Sequence, residues 1–119
     1  MRLIGIDTPE VYGVTSPECG GPAASRAMKR MLELGDRVKL FSDPSQSNRD
    51  QYGRLLRYVE ERGRDVGKTQ VAKGHANVYI FDQPFQRLPD YQRAEERVRH
   101  RDRGVWSACG GDFHCPRAR

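Results

Sequence analysis

Apolar positions fall into short runs separated by polar stretches rich in Gly and Pro. Leu3, Ile4 and Ile6 read as a short buried strand, and Gly5 inside it allows close backbone approach. "GGPAASRAMKRMLELGD" predicts a helix. Pro22 fits its first turn, Ala23, Ala27, Met28, Met31 and Leu32 form its apolar stripe, and Gly35 fits its stop. "RVKLF" alternates, which places Val38 and Leu40 on one face of a strand. "SDPSQSNRD" is a polar loop, and "RLLRYVEERG" a strand that turns back at Gly63. "DVGKTQVAKG" predicts a short helix with Asp65 as N-cap and Gly74 as stop, although Val66 and Val71 are its only large apolar members. "ANVYIF" reads as a strand and "DQPFQRLP" as a loop. "DYQRAEERVRHRDRG" reads as a helix with Asp90 near its start, Tyr91, Ala94 and Val98 on one stripe, and Gly104 at its end. Strand, helix, strand, strand, helix, strand, helix is the order of a small α+β domain.

A length of 119 residues suits one domain, and 31% charged against 36% hydrophobic residues allows only a modest core. No apolar run is long enough to cross a bilayer as a helix. A net charge of +5 favours polyanionic partners, nucleic acid foremost. Three cysteines, Cys19, Cys109 and Cys115, leave at least one thiol outside any intrachain pair. Cys109, His114 and Cys115 are a weak zinc signal, because the chain holds no C-x-x-C pair. "GRDVGKT" approaches a phosphate-binding loop, but that motif needs four residues between its first Gly and the Gly-Lys pair. Only Arg64, Asp65 and Val66 stand there, so the segment is assigned to a helix start.

Asp7-Thr8-Pro9-Glu10 follows the first strand directly. As local structure it is an ordinary turn signal. As chemistry it sets two carboxylates and a hydroxyl at a strand end. A second such cluster is "DQYGRLLRY". With "RLIGIDTPE" before it, "GPAASRAMKRMLELGDRVKL" between them and "GRDVGKTQVAKGHANVYIF" after, the chain resembles the staphylococcal-nuclease-like (thermonuclease) family from Arg2 to Trp106. "VWSACGGDFHC" is similar to the end of secreted bacterial members.

The resemblance implies a nuclease-like domain over 1–106, an OB-fold-type small β-barrel packed with three helices, and a Gly-containing tail over 107–119. It implies a calcium-dependent phosphodiesterase acting on DNA and RNA with little sequence preference. Arg2, Glu10 and Arg54 fall on its catalytic positions, Asp7 and the Thr8 main chain on its calcium ligands, and Tyr52 and Tyr79 on tyrosines near the bound substrate. It further implies a Cys19–Cys109 disulfide and a secreted or cell-envelope location. The chemistry is coherent: guanidiniums hold phosphate oxygens bidentately, a hard cation polarises the phosphate, and a carboxylate can take a proton from attacking water. Singly, each residue has a plainer reading. Arg2 is a strand-end charge, Arg54 can pair with Asp50 four residues earlier, and Asp7 and Glu10 are turn residues. Jointly, Arg-x4-Asp-Thr-Pro-Glu and Asp-x-Tyr-Gly-Arg in one basic chain favour the functional reading.

Family members carry two strands ahead of the segment where Arg2 falls, and the turn between them supplies a further calcium-ligating Asp. The expectation is therefore an N-terminally incomplete barrel with few protein oxygens for calcium and open strand edges through which chains can associate; a complete barrel is expected to be a monomer. Two other readings stay open: a non-catalytic nucleic-acid-binding module that kept the arginines, and an inactive truncated fragment.

Overall fold

A computed structural model describes residues 1–7, 19, 21–32, 37–81 and 83–101. In chain order the elements are β1 (Arg2–Leu3), β2 (Ile6–Asp7), α1 (Gly21–Met31), β3 (Lys39–Phe41), β4 (Leu56–Glu61), β5 (Arg64–Asp65), α2 (Val66–Ala72), β6 (Asn77–Val78) and α3 (Leu88–His100). The class is α+β with three helices, as expected. One sheet runs β1-β4-β3 with β5 also on β4, and a second pairs β2 with β6. β1 lies parallel to β4, Arg2 opposite Leu56, while β3 is antiparallel to it. The expectation is an N-terminally incomplete barrel, and no closed barrel is found: among the described residues the strands form these two sheets, and the ladder of β1 on β4 stops after Leu3.

The break explains a difference from expectation. Leu3 to Ile6 was expected as one strand, but the chain turns at Ile4-Gly5 and changes sheets. Gly5 has φ +85°, and a Cβ there would stand 2.4 Å from the Phe85 ring. Only glycine meets both conditions. Its carbonyl accepts the Tyr79 N–H at 2.9 Å, which ties the corner to the segment after β6.

The helices follow their caps and stripes. α1 buries Gly21, Ala24, Ala27 and Met31, so Ala24 rather than Ala23 faces the core. In α2, Asp65 accepts the Lys68 N–H at 3.1 Å as N-cap, and Gly74 at φ +77° follows the helix end. Val66 and Val71, its few large apolar residues, are wholly buried. Buried Gln70 donates to the Ala24 carbonyl at 3.1 Å and ties α2 to α1. α3 buries Tyr91, Ala94 and Val98 but starts at Leu88, with proline in its first turn, ahead of Asp90. Ile4, Ile6, Tyr58, Val71, Ala76, Phe85, Tyr91 and Ala94 form one core cluster, and Met31, Val59 and Val66 another.

Three strand expectations shift. "ANVYIF" keeps only Asn77 and Val78 in β6, and Tyr79, Ile80 and Phe81 are exposed. The Val38 and Leu40 face beside β3 is exposed rather than buried. β5 was not expected; it is the two-residue return of the turn at Gly63.

A polar network lies beside β4. The Asp43 carboxylate, buried in the loop after β3, accepts from Tyr58 Oη, Ser45 Oγ and the N–H groups of Ser45 and Gln86. Arg87 bonds Asp65 at 2.9 Å and Glu60 at 3.0 Å and lies 4.2 Å from the Tyr58 ring centroid. No described helix is long and apolar enough to cross a membrane.

Candidate functional site

Two local structures build the site. The first is the β1–Gly5–β2 corner, which carries Arg2 on one arm and Asp7 on the other. The second is the loop entering β4. There the Asp50 and Arg54 main chains pair at 2.9 Å, Gly53 at φ +79° makes the turn, and Arg49 bridges Leu55. Asp50 Oδ1 accepts the N–H groups of Tyr52 and Arg54, each at 2.9 Å, so its side chain holds the turn.

Asp50 Oδ2 accepts Arg54 Nε at 2.7 Å, and the guanidinium lies 5.3 Å from the Tyr52 ring centroid. Arg54 is thus held by one edge and one face, while no described residue bonds its Nη atoms. Burial pushes the Asp50 carboxyl up. Hydrogen bonds from the Arg54 N–H and side chain and from the Tyr52 N–H, with the Arg54 charge, outweigh it and hold Asp50 below the ordinary carboxylate value.

Between these structures lies a cleft of about 630 Å³. Arg2, Asp7, Tyr52, Arg54 and Tyr79 all line it, with Asp50 beside them. Its floor is apolar, from Ile4, Ile6, Leu56 and Phe85. Five expected site residues, from three stretches of sequence, therefore meet at one concavity. Thr8, Glu10 and Cys109 lie outside the described residues. Cys19 stands just ahead of α1, half-buried, and is not free.

Three lining residues were not expected. Asp50 reads in the sequence as the first residue of Asp-x-Tyr-Gly-Arg and as a surface ion-pair partner, its signal being the four-residue spacing to Arg54. Phe81 is an exposed ring tilted against Tyr79 at 6.5 Å, hidden in what read as a strand. Asn77 stands opposite Asp7 in the β2–β6 pair, and its buried Oδ1 has no hydrogen-bond partner among the described residues.

The donor set suits a hard cation, though sparingly. Among the described residues no three His, Cys, Asp or Glu side chains cluster, and Asp50 is committed to Arg54. A calcium ion in this cleft would take the Asp7 carboxylate and draw most of its six to eight oxygens from main chain, water and phosphate. Two arginines with an acidic residue and exposed rings over an apolar floor suit a phosphodiester flanked by aromatic bases.

A family model described as staphylococcal nuclease homologue matches residues 1–108. The chain is 32% identical over 112 residues to the SPbeta prophage-derived endonuclease YokF of Bacillus subtilis, covering 92% of this chain and 37% of that protein. It is 34% identical over 112 residues to endonuclease YncB of the same organism, covering 92% of this chain and 52% of that protein. The thermonuclease of Staphylococcus intermedius is 31% identical over 110 residues, 89% of this chain and 62% of that protein. The chain thus spans between about a third and three fifths of these relatives' lengths.

Proposed function

Because the chain belongs to the staphylococcal nuclease family, we propose that it hydrolyses phosphodiester bonds of DNA and RNA, with little sequence preference and with calcium. The observation that carries this reading is the convergence of Arg2, Asp7, Tyr52, Arg54 and Tyr79 on one cleft. In this reading Arg2 and Arg54 hold the equatorial oxygens of the phosphate, where charge grows in the transition state. Tyr52 and Tyr79 line the path of the nucleotide. Glu10 accepts a proton from the attacking water. Asp7 and the Thr8 carbonyl would hold calcium, which would supply polarisation of the phosphate oxygens. Asp50 positions Arg54, fixing its Nε so that the Nη edge stays turned to substrate.

Plasmid DNA and a structured RNA, each incubated with calcium and separately with chelator, test the reading. Cleavage of both with calcium alone is expected, and Glu10→Gln should lose most of it. Tight binding of nucleic acid with no cleavage at any calcium concentration would replace hydrolysis by a binding role. The family reading also carries a Cys19–Cys109 disulfide and a secreted or cell-envelope location. Closing so long a loop contributes on the order of 4 kcal/mol. Peptide mapping without reduction should find the two joined, and Cys109 recovered as free thiol from oxidised protein would remove the bridge.

A further inference from the structure

The described parts of α1 and α2, residues 21–31 and 66–72, contain no Asp or Glu. Arg26, Lys29 and Arg30 are exposed and recur at i, i+3 and i+4, away from the stripe of Ala24, Ala27 and Met31. The Gln70 bond to the Ala24 carbonyl holds α2 against α1, and Lys73 and His75 follow at the α2 C-terminus. Burial lowers the His75 pKa first, and the charges of Lys73, Arg30 and Arg26 lower it further. None of Arg26, Lys29, Arg30 and Lys73 makes an ion pair among the described residues, whereas Arg54, Arg62, Arg64, Arg87 and Arg93 each do. α3 is as rich in arginine but interleaves Asp90, Glu95 and Glu96. Glu33 and Asp36, which follow α1 in sequence, lie outside the described residues. No residue of α1 or α2 lines the cleft, so this is a separate face.

We propose that the α1–α2 face, through Arg26, Lys29, Arg30 and Lys73, is a second phosphate-binding surface that holds the backbone of a single-stranded nucleic acid outside the cleft. The proposal rests on the nucleic-acid reading given above and adds a second contact region to it. Cations that make no ion pair among the described residues, on helices whose described parts carry no Asp or Glu, attract a polyanion, and their contacts release condensed counterions without reading sequence. A long strand touching both surfaces gains affinity that a dinucleotide in the cleft cannot.

The test uses a fluorescent 30-nucleotide single strand in chelator, its affinity measured by anisotropy across a salt series, beside calcium-dependent cleavage of a dinucleotide. The triple variant Arg26→Gln/Arg30→Gln/Lys73→Gln should bind the long strand about tenfold more weakly at low salt. The slope of log affinity against log salt should fall by about 2, the value for three lost single-strand phosphate contacts. Dinucleotide cleavage should stay unchanged. Arg93→Gln/Arg97→Gln/Arg101→Gln removes the same net charge from α3 and should cost less than about threefold. Arg26→Lys/Arg30→Lys, which keeps the charge, should retain the slope. Equal losses from the two triple variants, an unchanged slope in the first, or no binding of the long strand by the parent would each overturn the proposal. Long-strand binding with the expected slope change but no dinucleotide cleavage supports this surface and removes the hydrolytic reading instead.

Discussion

Arg54 and Arg87 serve the same strand, β4, one just ahead of it and the other against its Tyr58 and Glu60. Both meet carboxylates, yet they are held differently. Arg87 reaches Asp65 at 2.9 Å through Nη1 and Glu60 at 3.0 Å through Nη2, with the Tyr58 ring on its face. Burial works against its charge, and the two carboxylates outweigh that and raise its pKa. Among the described residues Arg54 gives up only Nε, to Asp50, and its stacking ring, Tyr52, is itself 74% exposed. A guanidinium with both Nη groups committed joins elements together; one anchored by Nε keeps the bidentate edge that a phosphate matches. Position relative to a strand does not separate these roles, but the count of committed donors does.

The strongest way to break the contrast is Arg54→Lys. It keeps the charge and removes the fork, so cleavage should fall about a hundredfold or more, with the thermal midpoint nearly unchanged. Cleavage equal to the parent would make Arg54 structural. Next, Arg87→Met should act on stability instead, because it leaves Glu60 and Asp65 without their partner. The site is partly exposed, so the cost should be about 2 kcal/mol, roughly 8 °C by calorimetry, with cleavage per folded molecule preserved. Asp50→Asn probes the anchor. It keeps an acceptor for the turn N–H groups but loses the charge on Nε, and should lower the rate about tenfold while KM for a dinucleotide changes little. A loss seen only in thermal stability would confine Asp50 to the turn.

The smallest effect is in acid. Burial raises the Asp43 carboxyl, and hydrogen bonds from Ser45, Tyr58 and Gln86 outweigh it, leaving its pKa below 3.8 in the fold. A depressed carboxyl stabilises the fold above its unfolded pKa, and that contribution is lost as pH falls below 3.8 through the folded value. Unfolding midpoints measured from pH 5 down to 2 should fall, and Asp43→Asn should flatten the lower part of the curve. Parallel curves for the two proteins would assign the acid loss to other groups.

The helices were legible because their signals are local. Asp65 as N-cap, Gly74 as stop and the Tyr91–Ala94–Val98 stripe lie within a few residues of what they control. Arg2, Asp7, Tyr52, Arg54 and Tyr79 were legible as a set only through the family resemblance; that they share one cleft depends on strand pairings distant in sequence. What stayed hidden has distant causes. Asp43 reads as an ordinary loop residue, and its acceptor role depends on Tyr58 and Gln86, 15 and 43 residues away. The thin apolar face of α2 gave little sign of its central place, which comes from Val71 in the main core and Val66 in the second. The exposed Val38 and Leu40 show the opposite failure: alternation marks a face but not what covers it.

The glycine corner gives the chain a property of length rather than of chemistry. Arg2 and Asp7 belong to different sheets, and only Leu3 to Ile6 joins them, pinned by the Phe85 ring on Gly5 and by the Tyr79 N–H on its carbonyl. Loops elsewhere can lengthen at small cost, because the entropy of closing them grows slowly. Here one added residue would move every following side chain of β2 to the opposite face and carry Asp7 away from the cleft while Ile6 left the core. The corner is therefore a fixed-length ruler, and insertions or deletions between Arg2 and Asp7 should be rejected in any selection for activity.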